Sequence, residues 1–296
     1  MQIPLATTYT EDKSLKWVKG ALAGDRASLE QLIQEHQPFI YNVAWKMAHN
    51  KEDALDLTQE VLIKVVTKLS QFKFNSSFRT WLYRIVVNEF LQARRRNAEK
   101  TFSTFDEYGD RLDAIPNPEL TIEEEISLKE LSREMQISCM SGMLMCLTRE
   151  QRLIYILGDT FGIDHKMGAD IFEISKENFR VKLHRARKDL YNFMNNKCGL
   201  VNKSNPCRCP KKAKVMAQQG YLDPNRMQFN LTHKHRIADY AQEHHRDLMD
   251  MMIDKYTKLF RDHHVQREFD QKTFIASMLE DDDFMSFFES EPSRED

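Results

Sequence analysis

Residues 175–190 read SKENFRVKLHRARKDL, and the spacing of their apolar positions fits one regular structure. Phe179, Leu183, Ala186, Leu190 and Phe193 recur at steps of four, three, four and three, which is one face of an α-helix. Arg180, Val181, His184, Arg185 and Lys188 fall on the other side. Ser175 suits an N-cap, because its hydroxyl accepts from an orphan backbone N–H of the first turn. Six Lys and Arg against Glu177 and Asp189 give the segment a net charge of +4. Upstream, Leu147 and Thr148 with Glu150 and Gln151 start a helix, which Gly158 and Gly162 interrupt. A short helix from about Asp164 to Phe172 and a turn lead back to Ser175. A basic surface helix is often merely solvated. This order of parts points instead to a helix-turn-helix, whose second helix enters the major groove with its N-terminal residues at base edges.

The whole chain has 296 residues, enough for two or three domains, and its net charge of −2 averages over segregated charge. The ending 280–296 carries eight acids and Arg294, a net of −7, whereas bases gather at 94–96, 176–188 and 197–214. No apolar run approaches the ~18 residues of a membrane span. The opening MQIPLATTYTEDK lacks the basic and apolar regions of a signal peptide. The cysteine count is five, an odd number, and Cys139 and Cys146 in a Met-rich helical stretch read as buried thiols, so a reducing cytoplasm fits. Glycine and proline are scarce and β-type alternation is weak. The expected fold is all-α: two helical domains joined by an acidic linker, with a helical C-terminal extension.

The first domain is expected over 14–97. Asp25 precedes an amphipathic helix through Ala27, Leu29, Leu32 and Ile33 that Pro38 interrupts, and a helix with Trp45 continues from Phe39. The clearest helix spans 53–72, with a core stripe of Ala54, Leu57, Val61, Val65 and Leu69. Asp53, Asp56, Gln59 and Glu60 cluster in its first two turns, where acids complement the helix dipole. After a turn at 74–77, residues 78–97 interleave aromatics with arginines. Residues 98–127 form the linker: 106–125 holds eight acids against Arg111, punctuated by Pro116 and Pro118, a composition that packs poorly. The second domain spans 128–195, a Cys/Lys-rich junction 196–214, and the extension with its acidic tail 215–296.

In this order the pieces resemble bacterial RNA polymerase sigma factors of the extracytoplasmic-function type, the sigma-70 family's group 4. EDALDLTQEVLIKVVTKLSQF (52–72) looks like the helix that binds core polymerase. FRTWLYRIVVNEFLQARRRN (78–97) resembles the helix that melts the promoter and reads its −10 element. LTREQR and VKLHRARKDL within 147–190 are similar to the domain that reads the −35 element. The resemblance implies that Asp53, Asp56, Gln59 and Glu60 bind the polymerase clamp coiled coil. It implies that Trp81, Tyr83, Arg84, Asn88, Arg94, Arg95 and Arg96 bind −10 DNA, the aromatics by base stacking and the arginines chiefly at phosphates, although Trp81 reads equally as a core side chain. At −35 it implies Lys176, Glu177, Asn178, Arg180, Val181 and His184 near base edges, with Lys182, Arg185 and Lys188 on phosphates. The acidic linker is expected near the polymerase's RNA path, and an anti-sigma factor is a further possible partner. The family's acidic-Ile-Ala signature appears here, shifted, as Gly168-Ala169-Asp170-Ile171. Its Gly-Thr-Val appears as Lys176-Glu177-Asn178-Phe179, so the −35 base preference does not carry over.

No cofactor is required by this reading. Cys198, Cys207 and Cys209 are candidate zinc thiolates, with His233 or His235 as a fourth ligand. The alternatives are a basic turn with unpaired thiols or a redox bridge, which would involve Cys198 because C-x-C is too tight for an ordinary disulfide within itself. Lys211, Lys212 and Lys214 extend the DNA-facing charge. A stand-alone helix-turn-helix regulator is the competing function, but it has no need of 52–96. A metal-dependent hydrolase using the C-terminal histidines lacks a His/Asp constellation with catalytic spacing, so no enzyme is expected.

Overall fold

The computed structural model describes residues 10–48, 51–92 and 104–223. The expected −10 contacts Arg94, Arg95 and Arg96, the histidines at 233–264 and the acidic tail lie outside the described residues. Those described are almost wholly helical; the one extended pairing among them is an isolated parallel bridge between Cys198 and Cys207. They fall into two compact units, neither continuous in sequence: residues up to 92 together with Ile156–Val181, and 104–155 together with 182–223.

The first unit is built on α1 (Glu11–Leu22), α2 (Arg26–Ala48), α3 (Lys51–Thr67) and α4 (Phe78–Gln92). Leu29, Ile33, Ile40, Leu62, Leu82 and Phe78 form its core, each under 5% exposed. The expected stripe is buried as read, Ala54, Leu57, Val61 and Val65 on α3 and Leu69 in the short 3-10 turn Leu69–Gln71 that follows it, so the helix read over 53–72 ends at Thr67. Ser77 starts α4 by accepting the Thr80 N–H at 3.0 Å. Pro38, by contrast, does not end its helix. α2 runs through it, because Leu32 and Ile33 before it and Ile40, Val43 and Ala44 after it enter one core. That burial outweighs one lost ladder bond, and the Asn42 side chain donates to the Pro38 carbonyl at 2.7 Å.

The second unit holds α5 (Phe105–Ala114), α6 (Ile122–Ser127), α7 (Lys129–Met145) and α8 (Arg149–Tyr155). A π-turn at Ile156–Thr160 and α9 (His165–Phe172) return the chain to the first unit. α10 (Lys176–Lys197) begins there and ends in the second unit, where α11 (Cys209–Gln218) packs on α7. The acidic stretch expected as a loose linker is ordered helix along 105–114 and 122–127. Thr104 caps α5, and Thr121 with Glu124 makes a reciprocal capping box on α6. Tyr108 and Leu112 are buried. Its acids meet lysines far along the chain: Lys197 Nζ to Asp113 at 2.5 Å, Lys211 to Glu119 at 3.0 Å and Lys214 to Glu124 at 2.5 Å. Local composition underestimates this segment because its partners lie 84 to 92 positions away.

Candidate nucleic-acid interface

The helix-turn-helix elements are fixed by caps visible in the sequence. Thr148 and Gln151 bond reciprocally, the Gln151 N–H to the threonine hydroxyl and the Thr148 N–H to Gln151 Oε1, each at 3.2 Å. The Arg152 guanidinium then donates to the carbonyls of Leu144 (2.8 Å), Met145 (3.2 Å) and Leu147 (3.3 Å), tying α8 to the end of α7. Asp164 Oδ1 accepts from the N–H groups of Lys166 and Met167, starting α9. Glu173, in the left-handed region at φ 54°, ends it. Ser175 Oγ accepts the Asn178 N–H at 3.1 Å, the expected cap of α10.

α10 buries the expected row Phe179, Leu183, Ala186, Leu190 and Phe193 and runs on to Lys197. Phe179 sits against Gly168 and the rings of Phe172 and His165. The opposite side presents Lys176, Glu177, Asn178, Arg180, Val181, His184, Arg185 and Lys188, all exposed. Val181 is 46% exposed, unusual for a branched apolar side chain. Lys182 is half-buried and paired with Glu150 at 2.6 Å, so of the expected set it is the cation already engaged within the protein. Arg187 was not in that set. It is exposed seven positions after Arg180, so helical periodicity puts it on the same side.

On α4, Asn88 is exposed, while Trp81 is half-buried against Phe72 and Phe78, with ring centroids 5.4 and 5.5 Å apart. Tyr83 corrects the expectation of a base-stacking surface. It is 3% exposed and its ring stacks on Phe39 at 3.8 Å, with its hydroxyl accepting from Arg79 Nε at 3.0 Å. Its place on the apolar side of α4 accounts for this. Burial also raises its phenol pKa. Phe39 in turn meets Phe161 edge-on at 5.2 Å, so residues of α2, α4 and the turn before α9 share one aromatic cluster. Arg84 is half-buried, reaching the Asp170 carbonyl and Glu173. On α3, Asp56, Gln59 and Glu60 are exposed and Asp53 half-exposed, one polar face opposite the buried stripe.

The junction does not carry the expected charge or metal. Lys212 is 2% exposed and donates to the Leu112 and Ile115 carbonyls, while Lys211 and Lys214 are ion-paired. These lysines therefore bind the acidic segment rather than extend a DNA-facing surface. Among the described residues no three His, Cys, Asp or Glu side chains gather closely enough to hold a metal, which leaves the zinc assignment to Cys198, Cys207 and Cys209 without support. Cys207 closes the bridge with Cys198, whereas Cys209 already begins α11, and Lys212 lines one small apolar cavity together with all three thiols, bringing its own positive charge there.

Residues 32–100 match the family model described as Sigma-70 region 2. The chain is 28% identical over 175 residues to the ECF RNA polymerase sigma factor SigE of Mycolicibacterium smegmatis, covering 58% of this chain and 64% of that protein, just under two thirds of its length. It is 28% identical over 166 residues to the RNA polymerase sigma factor YlaC of Bacillus subtilis, covering 56% of this chain and 91% of that one. It is 27% identical over 177 residues to the ECF RNA polymerase sigma-E factor of Escherichia coli, covering 57% and 87%.

Proposed function

Because the chain belongs to the sigma-70 family, among its extracytoplasmic-function members, we propose that it is a promoter-specificity subunit. It binds core RNA polymerase, engages the −35 and −10 elements and initiates transcription without catalysing a reaction of its own. The observation that carries this reading is the coexistence of two features. Residues 32–100 match region 2, and a capped turn delivers α10 with one face buried and the other basic and exposed.

On this reading 14–97 acts as the region 2-like domain and 128–195 as the region 4-like domain. Asp53, Asp56, Gln59 and Glu60 meet basic residues of the polymerase clamp. Lys176, Glu177, Asn178, Arg180, Val181 and His184 approach −35 base edges, while Arg185, Arg187 and Lys188 take phosphates. Trp81, Arg84, Asn88 and Arg94–Arg96 serve the −10 strand, and Tyr83 supports them from the core. The work is cytoplasmic, no cofactor takes part, and an anti-sigma factor is a natural regulator.

Run-off transcription with purified core polymerase and the full-length chain tests this. Specific transcripts that need both protein and promoter are expected. Failure to bind core, with tight binding to a duplex operator alone, would replace this reading with a stand-alone regulator.

A further inference from the structure

Four of the five cysteines line one small apolar cavity in the second unit: Cys139 from α7, Cys198 just beyond α10, and Cys207 and Cys209 at the start of α11. Two of them are brought together by the backbone itself. Cys198 and Cys207 form the parallel bridge. Bridged residues lie roughly 4.8 Å apart across a ladder, within the ~4.4–6.8 Å that a disulfide spans between Cα atoms.

The turn between them is built to hold that approach. Asn202 Oδ1 accepts from the Ser204 N–H at 3.1 Å, closing the bend. Asn205 Nδ2 donates to the Asn195 carbonyl at 2.8 Å and the Cys198 carbonyl at 3.3 Å, pulling the returning strand onto the end of α10. The Arg208 guanidinium donates to the Cys207 carbonyl at 3.0 Å and the Lys203 carbonyl at 2.9 Å. A Cβ at Gly199 would run into the Cys207 carbonyl oxygen and the Arg208 guanidinium, so the two backbones meet only because residue 199 is glycine.

We propose that Cys198 and Cys207 are a redox dithiol that hydroperoxides close to an intramolecular disulfide. Both are part-exposed, whereas Cys209 is buried. Burial drives the Cys209 thiol well above its ordinary pKa and pushes Cys139 up to about 12, which keeps those two protonated; it raises the Cys207 thiol as well, which suits Cys207 to the second, resolving step rather than the first attack. In the first step the Cys198 thiolate attacks one peroxide oxygen and the O–O bond breaks. The leaving hydroxide takes a proton from solvent, and Cys198 becomes a sulfenic acid. Cys207 gives its proton to solvent and attacks the Cys198 sulfur. The S–O bond breaks, and the departing hydroxide takes up a proton as a second water. Overall two thiols lose two hydrogens and one hydrogen peroxide is reduced to two waters. Unlike the promoter contacts, this chemistry needs no DNA and no polymerase.

The sequence supplies the assay. Trypsin cuts after Lys197, Lys203, Arg208 and Lys211, so Cys198, Cys207 and Cys209 fall in separate peptides, 198–203, 204–208 and 209–211. Full-length reduced protein is treated with hydrogen peroxide, alkylated in denaturant, digested and analysed by mass spectrometry. The expected product joins 198–203 to 204–208, is two hydrogens lighter than the separate peptides and vanishes on reduction with dithiothreitol. In Cys207→Ser, matched to wild type by circular dichroism, that product is lost and dimedone captures Cys198 as the sulfenic acid. A bond from Cys198 to Cys209 or Cys139 in the wild type would overturn the proposal. So would recovery of both thiols as alkylated or over-oxidised cysteines with no linked peptide.

Discussion

Arg84 Nε donates to the backbone carbonyl of Asp170 at 2.7 Å, and its Nη1 stands 3.9 Å from Glu173 Oε1. An arginine expected at DNA is thus engaged with the last turn of α9 in the free chain. On the proposed function, promoter engagement exchanges a protein carbonyl for a phosphate. Arg84→Ala should cost the free protein about 1 kcal/mol in urea denaturation, the net worth of one such bond. In transcription it should lower open-complex formation while core binding is retained. Equal loss of both would make Arg84 purely structural.

Gly168 lies under Phe179, and a Cβ there would meet the phenyl ring inside van der Waals contact. Phe179 is fully buried, so the ring has little room to move. Gly168→Ala gains up to ~1 kcal/mol of helix propensity but overpacks at a cost of about 1–3 kcal/mol. A lowered thermal midpoint by circular dichroism is expected. A raised one would show that α9 and α10 part easily.

The exposed cations of α10 should make promoter binding steeply salt-dependent. Lys188→Ala should weaken binding to all sequences alike and reduce the slope of log K against log salt by about 0.9. Arg180→Ala, nearer the start of the helix, should instead reduce −35-dependent transcription more than non-specific binding. Fluorescence anisotropy across a salt series separates the two behaviours.

His36 is 5% exposed, beside the Ser14 hydroxyl at 3.3 Å and edge-on to Phe78. Burial, aided by the charge of Arg79, pushes its pKa down to about 3. The unfolded value is about 6.5, so between the two the unfolded chain holds one more proton. Stability therefore rises with pH through that window and is lost as pH falls below about 6.5, at up to ~1.4 kcal/mol per pH unit. His36→Gln should flatten the decline between pH 6.5 and 5 in denaturant titrations. An unchanged slope would assign acid sensitivity to other groups.

Much of this architecture is written locally. The stripe on α3, the Ser175 cap and the buried row from Phe179 to Leu190 follow from periodicity and capping chemistry, which need only neighbours within a turn or two. What sequence misjudged depends on distant partners. Pro38 reads as a break because its ring removes a ladder bond, yet both flanks enter one core. Tyr83 reads as a stacking surface because aromatics and arginines alternate around it, but Phe39 covers its ring. The acidic stretch reads as unstructured because Lys197, Lys211, Lys212 and Lys214 are invisible at its own position. The basic face of α10 was legible, including Arg187, which the same periodicity finds.

The pairing of the acidic segment with lysines far downstream also sets an order of events during synthesis. The Leu112 carbonyl leaves the ribosome 100 residues before the Lys212 ammonium that it binds. At roughly 5–20 residues per second, the nascent acidic helices wait about 5–20 s for their counter-charges. A chain stopped at residue 195 never acquires them. The second unit is therefore completed late in translation, and a gene cut after α10 removes part of its own scaffold.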